Sequence, residues 1–348
     1  MRTRTCLFLF TTILFFLGLS FSCKYKSREN TSNTNLQDTF PNPDSKTEIE
    51  LKNTFPKKKL LEKGISLWSS WHMTNDPNGN VYVSDQKMER ILKFNSDGNF
   101  LAQIGRTGEG PGEFRSPSDL IVTEEGIIIK EISRIQFLNK KGDYLSSFKD
   151  FKGYHSIEIC NDGSICAAPI IVRQELKLID ILSKEGEVLF SFGDCLKFEK
   201  ELAALNQCSI AINDNNIYIA FFFFPIVRKY SLNGTLLAEF KLNYESMVKK
   251  EKRNLKSYKS SLKGQKKGFW TVINNIQATK NGFYLLHMHQ IIEILEFDSN
   301  GNLKASYWCN RPKEFSAIDF FVQNENNIKS FYLLEYSPQN EVSVFRPK

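Results

Sequence analysis

The chain repeats itself, and the repeat decides what it can fold into. Five times, a turn containing Asn, Asp or Gly leads into a β-rich triplet, a second strand, another Gly turn and a further strand. The triplets are Val81-Tyr82-Val83, Ile127-Ile128-Ile129, Ile165-Cys166-Ala167, Ile217-Tyr218-Ile219 and Phe283-Tyr284-Leu285. The later turns carry Gly98, Gly142, Gly186, Gly234 and Gly301, at steps of 44, 44, 48 and 67 residues. A strand-only period in the mid-forties is the length of a propeller blade. Glycine and asparagine fall at the turns because tight hairpins need positive φ there. An apolar stretch before each first turn, such as Leu120-Ile121-Val122 or Ile157 to Cys160, supplies an inner strand and brings each blade to four.

After Tyr307 the chain offers three more strands, Ala317 to Val322, Phe331 to Leu334 and Val342 to Phe345. They make a sixth blade that lacks its outer strand. Glu48 to Leu51, where Ile49 and Leu51 alternate with charge, is the expected donor, joining the two chain ends and hiding an open sheet edge. The predicted fold is therefore all-β: a six-bladed β-propeller of four-stranded antiparallel blades, closed by an N-terminal strand. No seventh turn pair is visible.

The N-terminal segment has a different character. Arg2 and Arg4 precede an apolar run from Leu7 to Leu19, the pattern of a signal peptide and too short for a comfortable membrane span. Leu19-Ser20-Phe21-Ser22-Cys23 resembles a bacterial lipobox, with Ser20 where a Leu is usual. This resemblance implies that Cys23 is lipidated and becomes the mature N-terminus. Lys24 to about Lys46 has almost no apolar residues and reads as a flexible tether. The expected organisation is a signal peptide over 1–22, a lipid-anchored tether over 23–47 and the propeller over 48–348. The expected location is the bacterial cell envelope, on the periplasmic or outer-membrane face, with the membrane as partner through the lipid.

Gly105-Arg106-Thr107-Gly108-Glu109-Gly110-Pro111-Gly112-Glu113-Phe114, followed by Pro117 and preceded by Arg90-x-x-x-Phe94 and Asp97-Gly98, resembles NHL-type blades. It is especially similar to the six-bladed, NHL-repeat-like or TolB-like propeller lipoproteins of bacteria. That resemblance implies the six-bladed fold and export. It implies no single activity, because propellers host many.

The Gly-rich run lacks the Gly-Lys-Ser/Thr ending of a phosphate loop and no helix pattern follows it. It reads as a crossing between blades, with Arg106, Glu109, Glu113 and Arg115 on that face. His72 and His155 precede turn glycines by seven and eight residues, which places them near the start of inner strands where the central channel opens. The comparable positions elsewhere are Ser118 or Asp119, Gln207, and Asn274 or Asn275. His72, Asp119, His155, Gln207 and Asn274 form the predicted ligand-binding ring at the channel mouth, suited to a small polar ligand or an axial metal. No catalytic residue is assigned. His287-x-His289 puts two imidazoles on one side of a strand, but two histidines alone do not close a metal site.

The long 67-residue step contains an insertion from Lys241 to Gly268 with ten Lys or Arg against two Glu. The full-chain net charge is +7, so the excess is local and suits an anionic lipid, polysaccharide or acidic protein face. Phe221-Phe222-Phe223-Phe224-Pro225 reads as core packing between blades. Cys160, Cys166, Cys195, Cys208 and Cys309 fit no zinc or redox spacing and read as apolar fillers. Together these features predict an exported binding or scaffold module, monomeric as a domain, for an envelope protein or glycan. The alternative is a metal-dependent propeller lyase or hydrolase with its site on the axis. No cofactor is required by the sequence, and export without a recognisable module argues against nucleic acid.

Overall fold

The computed structural model describes residues 37–39 and 43–348, except 174, 266, 311–314, 326 and 337–339. The expected signal peptide and Cys23 lie outside the described residues. Each repeat forms an antiparallel sheet. Blade 1 comprises Ser70–Asn75, Val81–Asp85, Arg90–Phe94 and Phe100–Ile104, and blade 2 comprises Asp119–Val122, Ile127–Lys130, Arg134–Leu138 and Tyr144–Lys149. Blade 3 runs from Tyr154–Ile159 to Val188–Asp194, blade 4 from Cys208–Ile212 to Leu236–Leu242, and blade 5 from Asn275–Thr279 to Leu303–Cys309. The inner strands touch one another in a closed ring, blade 6 against blade 1 included.

The triplets are apolar throughout because the second strand of a blade is covered on both sides. Tyr82, Ile91 and Ile104 of blade 1 pack with Leu120, Ile127, Ile129 and Leu138 of blade 2, and the other clusters bridge neighbouring blades likewise. Outer strands are less covered, and in blade 3 the consecutive Val188, Leu189 and Phe190 are exposed on both faces of the strand.

Blade 6 is assembled from both ends of the chain. Ser316–Glu325, Ile328–Tyr336 and Asn340–Pro347 are completed by Ser45–Phe55. Ile49 to Phe55 pairs antiparallel with Val342 to Pro347, while Ser45 to Glu48 pairs parallel with Ala305 to Trp308 of blade 5. The closing strand is thus longer than Glu48 to Leu51. Lys52, Asn53 and Thr54 are polar because this outermost strand faces water, and the apolar pattern underreports it.

Phe55 shows that the closure is part of the repeat. A Cβ on Gly98, whose φ is +77°, would lie 2.7 Å from the Phe55 side chain. Gly186, Gly234 and Gly301 abut Phe148, Phe192 and Phe240 of the preceding blades in the same way. Phe55 therefore fills for blade 6 the place those residues fill in blades 2, 3 and 4.

Two further elements depart from the sequence reading. Gln37–Thr39, within the expected tether, pairs parallel with Phe240 to Leu242 as a fifth strand on blade 4. The basic insertion forms the helix Glu245–Leu262, which buries Met247, Asn254 and Tyr258 at helical spacing. Its Asn254 amide donates to the carbonyls of Phe223 and Trp270, each at 2.8 Å. Phe221 ends its strand, and Phe222 to Phe224 turn under this helix, with Phe221 and Phe224 buried. Among the described residues the five cysteines are buried and none is in a disulfide.

Candidate functional site

Strand register defines the ring of side chains on the axis. The third triplet residues Val83, Ile129, Ala167, Ile219 and Leu285, with Leu333 of blade 6, pair with Met73, Leu120, Ile157, Ile210, Ile276 and Phe320. The residue before each partner points the other way. The equivalent ring is therefore His72, Asp119, Ser156, Ser209, Asn275 and Asp319.

His72 is its centre. Its Nε2 lies 3.2 Å from Asp119 Oδ1 and its Nδ1 3.0 Å from Asp319 Oδ2. The two aspartates are anchored alike. One oxygen of each accepts the N–H of the following residue, Leu120 at 2.9 Å or Phe320 at 2.8 Å. The other accepts an N–H from the next blade, Ile157 at 2.9 Å or Met73 at 2.8 Å. Asn275 repeats the device: its Oδ1 accepts the Ile276 N–H at 2.8 Å and its amide donates to Asp319. Ser209 Oγ is buried without a hydrogen-bond partner among the described residues.

Burial alone would discharge His72, but Asp119 and Asp319 outweigh it and raise its pKa to about 10. The exposed part of the side chain, 26%, lies within a passage walled by the inner strands, so solvent screens this charge weakly. Glu158 follows Ser156 by two residues on the same side of its strand. Burial, reinforced by the charge of Asp119, pushes its carboxyl up to about 8. Lys130, the cross-strand partner of Asp119, is buried, and that burial lowers its pKa. The axis thus sets the His72 imidazole between two carboxylates, with a half-buried acid and a buried amine beside them. Such a set can hydrogen-bond a polar ligand from several blades at once.

Of the predicted ring, the structure brings together His72 and Asp119. His155, Gln207 and Asn274 are corrected to neighbouring positions. His155 Nε2 lies 2.7 Å from the Cys208 carbonyl and its ring stands 5.6 Å from Phe222, between blades 3 and 4. Burial lowers its pKa to about 4, so it stays neutral. Gln207 donates to the Ile170 carbonyl at 3.0 Å. Asn274 lies one residue before the ring, its Oδ1 buried without a hydrogen-bond partner among the described residues. An offset of seven from Gly79, Gly126, Gly163, Asn216 and Gly282 gives His72, Asp119, Ser156, Ser209 and Asn275. A register irregularity between Tyr154 and Ser156 accompanies the residue misplaced in blade 3. Asp319 was missed because blade 6 lacks the glycine from which to count.

Because strands alternate in direction, links between blades and links between second and third strands emerge on one face, where the channel mouth lies. Exposed Trp68, Ile132, Phe151, Ile171 and Trp270 belong to these links, and exposed Trp71 lies near the start of the first inner strand beside them. The long helix lies there too, with Arg253 over the Trp270 ring at 5.3 Å. The Gly-rich loop also crosses this face, pinned by Arg134, whose guanidinium donates to the carbonyls of Glu109 at 2.6 Å and Glu113 at 2.7 Å.

Residues 67–146 match the family model described as a 6-bladed beta-propeller. Solved structures share the fold across nearly the whole domain. A Bacteroides fragilis protein described as exported superposes with a TM-score of 0.56 at 14% identity, covering 87% of this chain and 99% of that one. A member of the duf4221 family from Bacteroides vulgatus gives 0.55 at 14% identity, with 87% and 99% covered. A streptogramin B lyase gives 0.52 at 13% identity, with 86% and 88% covered. At these identities the likeness concerns the fold. Among the described residues no helix is long and apolar enough to cross a membrane.

Proposed function

We propose that this chain is an exported, lipid-anchored binding or scaffold module of the bacterial cell envelope, and that its channel-mouth face engages a protein or glycan partner. The observation that carries the reading is the concentration of exposed aromatic and aliphatic side chains on that face. Trp68 and Trp71 closely precede His72 in the chain, and Phe151 and Ile171 lie in the link into blade 3 and in that blade's own link on the same face. Apolar side chains around a polar centre are the composition of a contact surface. The basic helix adds charge on the same side. The fold likeness to an exported protein and the sequence of the first 23 residues support export and acylation at Cys23. The axial-metal alternative is less well supported, since both ring nitrogens of His72 face carboxylates and an ion would have to displace that proton.

The test is capture from envelope extracts with the tethered full chain and with a Trp68→Ala/Trp71→Ala variant. A protein or glycan retained by the first and lost by the second is the expected result. Equal retention by both removes the mouth face as the contact. Mass spectrometry of the mature N-terminus checks the anchor, and an unmodified terminus elsewhere than Cys23 excludes it.

A further inference from the structure

A second polar cluster lies on the mouth face but off the axis, where the second and third strands of blade 5 meet beneath the helix. His287 and Glu293 are direct cross-strand partners. His289 lies just past the end of that strand, its ring 5.3 Å from the ring of His287. One ligand atom from each of His287, His289 and Glu293 lies within 4.8 Å of the other two.

The side chains are held from behind. His287 is fully buried, and its Nδ1 stands 2.7 Å from the Val272 carbonyl. A carbonyl only accepts, so Nδ1 carries the proton and Nε2 presents a lone pair. That lone pair receives the Ser246 hydroxyl at 2.7 Å. Glu293 Oε1 accepts the hydroxyls of Tyr244 at 2.7 Å and Ser306 at 3.2 Å, leaving Oε2 to meet His289 Nε2 at 2.8 Å. His289 is the exposed member and marks the entry side. An imidazole whose far nitrogen donates to a carbonyl, beside a carboxylate oriented by hydroxyls, is the outer arrangement that metal sites use to aim their ligands.

We propose that His287, His289 and Glu293 bind a divalent transition metal of the zinc class, with a fourth position open to solvent beside His289. Two imidazoles and one carboxylate are a borderline ligand set that suits zinc better than calcium or magnesium. Donors around a tetrahedral zinc stand roughly 3.4 Å apart. The His289–Glu293 contact therefore opens slightly as the metal replaces its proton, and His287 exchanges the Ser246 hydroxyl for the ion. Lys250 is the opposing charge. Its ammonium acts on His287 electrostatically, but it is turned to the carbonyls of Thr271 and Met288. The Glu293 carboxylate offsets it. The sequence pattern His287-x-His289 gave only two ligands; the hairpin supplies the third.

The experiment uses the untagged, chelator-stripped full chain, titrated calorimetrically with zinc and loaded separately with cobalt for its visible spectrum. One zinc per chain is expected, with a cobalt spectrum of a low-coordinate nitrogen–oxygen site. His289→Ala and Glu293→Gln should each weaken zinc binding at least about tenfold. His289→Ala lies on the exposed side and should keep its circular dichroism spectrum, so its loss of metal is not loss of fold. Absence of zinc binding by the intact chain overturns the proposal. So does one-to-one binding that both variants retain unchanged. Partner capture by the Trp68 and Trp71 surface is read separately and survives either outcome.

Discussion

The two faces of the propeller are built on different rules. On the side opposite the channel mouth, the same turn is made again and again. Asp76, Asn95, Asn139, Asn213 and Asp298 each turn a side-chain oxygen back to the N–H groups of residues two and three or four further on. On the mouth side no two links match: one is a glycine-rich crossing, one carries an 18-residue helix, and several end in exposed tryptophan or isoleucine. Uniform turns are what a fold needs to set strand register. Irregular links on a rigid scaffold are where binding residues accumulate. The contrast is the reason the proposed contact is assigned to the mouth face.

The largest effects are expected where the ring itself is fastened. Phe55→Ala removes a fully buried ring from the contact with Gly98 and should cost about 3–5 kcal/mol in denaturant unfolding. Deleting residues 24–43 should cost far less than deleting 24–55, because only the second removes the fourth strand of blade 6. Equal midpoints for the two truncations would show that the ring does not depend on this closure.

Next in size is the axial charge set, where the mouth face keeps groups that cost stability unless paired. His72→Ala leaves Asp119 and Asp319 facing each other and should destabilise by about 3 kcal/mol or more. The sign of the pH dependence follows from the raised pKa. The His72 contribution is complete below the ordinary 6.5 and is lost as pH rises toward about 10. Glu158, raised from 4.5 to about 8, acts in the same direction over its own lower window. His155, lowered to about 4, instead withdraws stability as pH falls below 6.5. From these three shifts, unfolding midpoints taken from pH 4 to 10 should level off between about 4.5 and 6.5 and fall on the alkaline side, and His72→Asn should make that fall shallower. An unchanged alkaline limb would mean that His72 carries no charge in the channel.

The repeat made the fold legible because each blade writes its own triplet and glycine at nearly fixed spacing. The closing strand was legible only in part, since Lys52 to Thr54 face water and carry no apolar signal. Of the site, His72 and Asp119 could be placed by counting from a turn. Asp319 could not, because its blade lacks the glycine, and Glu158 reads as an ordinary surface acid until the ring closes around it. His289 and Glu293 are near in sequence, but the hairpin that joins them to a buried His287 is a fact of tertiary structure. The chemistry of the mouth comes from convergence across blades, which a linear pattern does not display.

A smaller effect tests the regular face. Asn95→Ala removes the oxygen that accepts the Asp97 N–H at 3.1 Å and the Asn99 N–H at 2.8 Å. The freed N–H groups are exposed and can turn to water, so the cost should be about 0.5–1.5 kcal/mol with no change in partner capture. A loss of capture with this variant would mean that the turn face also makes contact, and the functional division between faces would fail.

The smallest effect on stability is expected at Trp68 and Trp71, and there the two faces separate most clearly. Their exposures of 48% and 56% mean that little apolar surface is buried by either ring in the folded chain. Lys87 stands 4.8 Å over the Trp68 ring, and Trp71 Nε1 donates to Ser69 at 3.3 Å, contacts too solvated to stabilise much. Replacing both by Ala should therefore move unfolding by no more than about 0.5 kcal/mol per site. If the rings existed only to cover the inner strands, the cost would instead approach that of a buried aromatic, about 3 kcal/mol or more. The pairing of two measurements decides the matter: near-native stability with lost capture assigns the tryptophans to a partner, whereas a large loss of stability returns them to the core and leaves the mouth face without its contact residues.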